Sequence, residues 1–159
     1  MGGKRRAAAT ETATATATAV MAPGTAEETT GTVDAKLAQR LVEEVAGACP
    51  REGLAKDRRV AWIEGALAAL KGLGPGDELE GMLTAQMVAT HGVAMDCFGR
   101  AMSEGGAEVA RKSALGQGAR LLGIYARQVE TLGRYRARTG GGEKSTISLV
   151  WGGPPLPPR

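Results

Sequence analysis

DELEGMLTAQMVATHGVAMDCFGRAM, Asp77–Met102, is the stretch whose reading decides the fold. Asp77 followed three residues later by Glu80 is a capping-box-like pair. The Asp carboxylate accepts from the N3 amide and the Glu side chain reaches back toward the cap. From that start Leu79, Leu83, Met87, His91, Met95, Phe98 and Met102 recur three or four residues apart, on one face of a helix. Gly105-Gly106 closes it.

The following stretch, about Ala107 to Arg138, carries Leu115, Gly118, Leu122, Tyr125, Val129 and Leu132 at alternating spacings of three and four. That heptad-like pattern fits two long helices lying side by side as an antiparallel hairpin. Ala85, Gly92 and Gly99 on one helix, and Ala119, Ala126 and Gly133 on the other, are each seven apart. Small residues at that period let two axes approach closely. A plain compositional preference for Gly and Ala is the alternative, and each interior Gly costs about 1 kcal/mol against Ala.

Two shorter helices precede the hairpin. One is expected from about Val33 to Ala48, with Thr32 as N-cap and Leu37, Leu41 and Val45 on one face; Pro50 stops it. The next is expected from about Gly53 to Leu73, on Val60, Ile63, Leu67 and Leu70, and ends at Gly72, Gly74 and Pro75. The fold class is therefore all-α: four helices, with a disordered N-terminal arm over 1–31, a helix pair over 32–76 and a hairpin over 77–139. A Gly hinge, a short strand and a Pro-rich tail make up 140–159.

Length and composition set the frame. At 159 residues, with aromatics at 3% and 24 glycines, the chain is one domain with tails and a thin core. Chains of small side chains often gain stability as oligomers. The N-terminal MGGKRRAAATETATATATAV resembles a signal peptide only in its basic start, because Glu11 and the Ala-Thr alternation replace the apolar segment. Arg6 stands where a myristoylation signal wants Ser or Thr. Two cysteines, Cys49 and Cys97, make no disulfide framework. A cytoplasmic, non-membrane protein is expected.

Little in the sequence carries chemistry. His91 is the single histidine, so a Cys₂His₂ metal site cannot form, and its place in an apolar stripe predicts a buried, hydrogen-bonded ring. No phosphate loop, serine elbow or dinucleotide fingerprint occurs. The expectation is a protein without catalytic residues, cofactor or metal. An enzyme built on His91 and Cys97 is a distant alternative.

Basic residues are the better lead. Arg120, Arg127, Arg134 and Arg138, spaced seven, seven and four, form one stripe roughly opposite Leu122 and Tyr125. Acidic residues do not interleave with that row. Lys56, Arg58 and Arg59 add a second cluster. Both suit a phosphate backbone, and a solvated face is the plain alternative. On the same long helix Leu121, Ile124 and Tyr135 make a second apolar edge, and a helix with two such edges wants two neighbours.

The C-terminal run Ser145–Trp151 reads as a lone strand, with Thr146, Ser148 and Val150 alternating against Ile147, Leu149 and Trp151. A strand without a partner in its own chain exposes its amides or borrows an edge elsewhere. The expected partner of Thr146, Ile147, Leu149, Val150 and Trp151 is another subunit or another protein. PPLPPR also matches a polyproline-ligand pattern.

ELEGMLTAQMVATHGVAMDCFGRAM together with ARLLGIYARQVETLGRYRARTGGGEKSTISLVWGG, about Glu78 to Gly153, resembles a family of uncharacterised bacterial helical proteins with a suspected phage association. Glu80, Met82, Leu83, Ala85, Gln86, Met87 and His91 fit its E-x-M-L-x-A-Q-M-x-x-x-H helix, and Thr131 to Arg136 its helix end, with Gly133 in place of a bulkier polar residue. The resemblance implies an ordered module and no activity. The order of elements is also similar to that of phage small terminase subunits, which form rings that recognise viral DNA and pass it to the large terminase. That likeness implies a homo-oligomeric DNA-packaging protein with double-stranded DNA and a large terminase as partners. A protein-partner adaptor using the C-terminal strand and tail is the other reading.

Overall fold

The computed structural model describes residues 25–49, 55–103 and 107–140. These form five helices: α1 Thr25–Thr30, α2 Ala35–Gly47, α3 Lys56–Leu73, α4 Glu78–Met102 and α5 Glu108–Thr139. Among the described residues there is no strand. The expected strand, with Thr146, Ile147, Leu149, Val150 and Trp151, lies outside them, as do residues 1–24 of the expected arm and the predicted start of the second helix at Gly53.

α1 corrects the last part of the expected 1–31 arm, residues 25–31, which is ordered. A hexamer with three threonines has poor intrinsic propensity and is too short to be helical alone. Tertiary packing holds it. Ala26 lies on the cluster of Val42, Ala46, Ile63 and Leu67, Thr29 and Thr30 are buried, and Lys71 Nζ meets Glu28 Oε1 at 2.8 Å. Gly31 then turns the chain with φ of 68°, and a Cβ there would collide with the Pro75 carbonyl. Only glycine satisfies both conditions.

α2 starts two residues later than expected and is capped by Asp34, whose carboxylate accepts from the Leu37 amide at 2.9 Å. Thr32, read as the cap, is instead buried. Its hydroxyl accepts from the Asp34 amide at 3.2 Å and donates to Glu78 Oε1 at 3.3 Å. Asp caps at least as well as Thr, which frees Thr32 to tie the start of α2 to α4. α3 ends at Gly74 in the left-handed conformation, where the Gly74 amide donates to the Lys71 carbonyl.

α4 begins at the predicted cap: Asp77 Oδ1 accepts from the Glu80 amide at 2.9 Å. Its apolar stripe is not the predicted one. Of Leu79, Leu83, Met87, His91, Met95, Phe98 and Met102, Met87 alone is buried. The buried row is largely small: Gly81, Thr84, Ala85, Val88, Ala94, Cys97 and Ala101. α4 is crowded on more than one side, and small residues mark where neighbouring backbones come nearest. α1 reaches its first half through the Thr30 carbonyl beside Gly81, and α2 and α3 through Leu41, Val45, Ala66 and Leu70 against Ala85 and Val88. α5 runs along its whole length as the predicted antiparallel hairpin partner.

The small-residue periodicity is only partly structural. A Cβ on Gly92 would stand 2.6 Å from Trp62 Cζ2, so this glycine admits α3. Gly99 and Gly133 face open space. The close contact inside the hairpin is made by Gly118, whose Cβ would lie 2.9 Å from Phe98 Cε1 and Cζ. On α5 only Gly118 and Leu132 are buried. Leu122, Tyr125 and Val129 are half-buried, and Leu115 is exposed.

Candidate functional site: a basic helix face and a polar clamp

Arg120, Arg127, Arg134 and Arg138 are all exposed on α5, on the side away from Tyr125 and Leu132, as their spacing requires. Over Glu108–Thr139 there are seven Lys or Arg against two Glu, in a chain whose net charge is only +3. Positive charge is therefore concentrated on this helix. One expectation needs correction: Glu130 does stand beside the row and pairs with Arg134 at 3.2 Å. Two-thirds of each of those side chains is exposed, so the pair is weak and exchangeable. Arg127 Nε donates back to the Gly123 carbonyl at 3.3 Å.

Lys56 and Arg58 are exposed and Arg59 half-buried in the first turn of α3. The opposite end of α3 is the one joined to α5, since Arg136 Nη2 donates to the Leu73 carbonyl at 2.8 Å and that of Gly74 at 3.2 Å. The structure therefore does not bring the Lys56 cluster to the arginine row.

Arg136 is the functional-looking arginine that spacing does not reveal. It stands off the basic row and turns inward to Glu80 Oε2, 2.9 Å from Nη2 and 3.1 Å from Nε. Both side chains are nearly dehydrated, at 13% and 7% exposure. Glu80 Oε2 also accepts from the Gly76 amide at 3.0 Å. The predicted back-reach of Glu80 is thus present, but one residue further out than a capping box would place it. Next to it, Tyr135 donates to Asp77 Oδ2 at 2.8 Å. The Glu80 amide, chiefly, and the Tyr135 hydroxyl together hold the Asp77 carboxyl below its ordinary value. The same hydrogen bond raises the Tyr135 hydroxyl. These four side chains lock the end of α3, the start of α4 and the end of α5 into one junction. Glu80 Oε2, both Asp77 carboxylate oxygens and the Tyr135 hydroxyl are engaged in these bonds, and Glu80 and Tyr135 also border an apolar depression beside the α4–α5 seam.

His91 is exposed, contrary to the buried ring expected. Its neighbours explain this: Gly92 takes the contact with Trp62, and the imidazole is left on the surface beside Tyr125, ring centroids 5.5 Å apart at 47°. Cys97 is buried, and Arg100 Nη2 donates to its Sγ at 3.2 Å. His91 and Cys97 thus occupy different environments. Among the described residues no group of three or more His, Cys, Asp or Glu is placed to hold a metal ion, and no helix is long and apolar enough to cross a membrane.

Two apolar depressions flank the α4–α5 seam. One, about 560 Å³, is walled by α3 and lined by Trp62, Val88, Gly92 and Tyr125 among others. The other, about 220 Å³, lies between Leu79, Met82 and Leu83 of α4 and Thr131 and Tyr135 of α5. The second adjoins, through Tyr135, the predicted second apolar edge of α5, where Ile124 is 45% exposed, and Leu79 of α4 beside it is 49% exposed. Apart from the Arg136 hydrogen bond to the last residue of α3, α5 packs on α4 alone among the described helices. Comparison of the chain with protein-family models, with curated proteins and with solved structures finds no match.

Proposed function

We propose that this chain is a non-enzymatic, self-associating cytoplasmic protein of small-terminase type that binds duplex DNA, viral or phage-derived, for packaging. The observation that supports it is the outer face of α5. Arg120 to Arg138 spans about 27 Å at about 1.5 Å per residue, a length along which one DNA strand presents about eight phosphates. Arginines in an exposed row reach phosphate oxygens without refolding anything. The side of α5 that no described helix covers, with Ile124, Tyr135 and the exposed Leu79 and Met82 of α4 beside it, supports self-association, because a 32-residue helix packed on one described neighbour leaves apolar surface uncovered.

Duplex DNA binding should weaken steeply as salt rises, since each neutralised phosphate releases counterions. Arg127→Glu with Arg134→Glu should weaken it at least tenfold near 50 mM salt and make the salt dependence shallower by about two phosphates. Absence of binding at low salt contradicts the proposal. The flanking apolar depressions favour a second reading, a protein-partner adaptor, because they are shaped for side chains rather than phosphates. Under that reading the arginine row is only solvated, and its reversal leaves partner binding unchanged.

A further inference from the structure

The larger depression is a trough between α3, α4 and α5 of about 560 Å³. Sites that take small organic molecules measure about 300–1,000 Å³. Its α3 wall is built of Ala61, Gly65, Ala69 and Gly72, all exposed, and a Cβ added at Gly65 or Gly72 meets nothing within 4 Å. A wall this bare lets the face of a ring come up to the helix itself.

The rest of the lining is where the chain gathers its rings. Aromatics are only 3% of the sequence, yet Trp62 and Tyr125 both line the trough, with His91, the single histidine, beside them. The His91 and Tyr125 ring centroids are 5.5 Å apart. Trp62 stands over Gly92, where a Cβ would lie 3.5 Å from Nε1. The polar tips of these rings are unspent: the Trp62 indole N–H, the His91 imidazole and the Tyr125 hydroxyl have no hydrogen-bond partner among the described residues. Trp and Tyr that are withdrawn from water usually do find one. The lining contains no Asp, Glu, Lys or Arg, so a charged group brought inside would lose hydration with nothing opposite to offset it.

We infer that the trough is a binding site for an uncharged aromatic molecule of small size, with one ring against the Gly65–Ala69–Gly72 wall and one polar group at the Trp62 N–H and the Tyr125 hydroxyl. Rings on one side and a bare helix on the other favour offset or edge-on contacts. An extended peptide fits worse, because it brings more backbone donors and acceptors than three side chains can pair. The site stands apart from DNA binding: the arginine row lies on the side of α5 away from Tyr125.

N-phenyl-naphthylamine is a suitable probe, being uncharged, aromatic and brighter out of water. Titrated into the full-length protein, it should saturate at one site per chain. It should also shift the Trp62 indole N–H signal in NMR, assigned by its loss in Trp62→Phe. Gly65→Leu, which fills the trough from its wall, should weaken binding at least tenfold while the helical circular dichroism stays. Gly72→Leu supplies the same test if Gly65→Leu does not fold. Gly99→Leu, outside the trough and facing open space, should leave binding unchanged. Anilinonaphthalene sulfonate carries the same rings with a negative charge, and the part of its binding that Gly65→Leu removes should be several-fold weaker. Brightening that never saturates overturns the inference, as does binding that neither wall variant moves or a sulfonate held in the trough as tightly as the neutral probe. Probe binding that appears only as the particle mass falls on dilution assigns the trough to a second copy and overturns it equally.

Discussion

The two ends of the α4–α5 hairpin are built by different physics. At one end Asp77, Glu80, Tyr135 and Arg136 form a dehydrated clamp that also holds the end of α3. At the other, Met102 is 78% exposed and Val109 80%, and the described contacts there are those of α4 with α5 alone, such as Phe98 over Gly118. α1, α2 and α3 add their weight to α4 only as far as Gly92, where Trp62 of α3 packs. Stability in this protein is therefore anchored at one end, and the far end is held mainly by one interhelical seam. A long helix attached in this way can present a continuous outer face, because no other described helix covers that face.

Arg136→Met should show the largest effect. It leaves Glu80 buried without its counter-ion, and breaking a buried pair costs about 3–5 kcal/mol, readable as a lower urea midpoint. Adding Glu80→Leu should recover part of the loss, because the stranded charge is then gone. A loss below 1 kcal/mol would show that the clamp carries little of the fold.

Glycine replacements sharpen the contrast along the seam. Gly118→Ala gains about 1 kcal/mol of helix propensity but drives a methyl into Phe98, and overpacking costs about 1–3 kcal/mol. A net loss is expected. Gly133→Ala meets open space and should raise stability by about 1 kcal/mol. Opposite signs for two Gly→Ala changes on one helix are a demanding outcome for thermal melts.

Asp77→Ala removes the cap of α4 and should cost about 1 kcal/mol at neutral pH. Because folding lowers the Asp77 pKa, its contribution is present above the ordinary value of 3.8 and is lost as pH falls through the depressed folded value. The gap between wild type and Asp77→Ala should therefore close on acidification below pH about 4. A gap that stays constant down to pH 2 would show that the carboxylate charge plays no part. At the open end, Met102→Gln should change stability by less than about 0.5 kcal/mol.

How much the sequence discloses follows from how local each cause is. The Asp77 cap, the Gly74 and Gly140 ends and the hairpin pairing are set by residues within a turn or by a repeated period, and they are legible. The arginine row is legible for the same reason, as periodicity places it on one face. α1 is not, because Thr25–Thr30 has no helical signal of its own and exists through Ala26, Thr29 and Thr30 packing on α2–α4. The α4 stripe misleads because bulk was read as burial. Where backbones crowd, Gly81, Ala85 and Ala94 go inside, and Met95 and His91 stay out. Arg136 looks like one more cation of a basic helix until the fold brings Glu80 beside it, 56 residues away in sequence. Glu130 sits four residues before Arg134, a local spacing that does announce the pair found there.

Amide hydrogen exchange resolved along α4 and α5 tests the asymmetry most directly, since protection reads the free energy of local opening. Amides of Gly81–Val88 and of Val129–Arg136 should be the slowest in the hairpin, and those of Gly99–Met102 and Arg111–Leu115 faster by orders of magnitude. Equal protection at both ends, or slower exchange at the Met102 end, would contradict a fold anchored by the Arg136–Glu80 clamp.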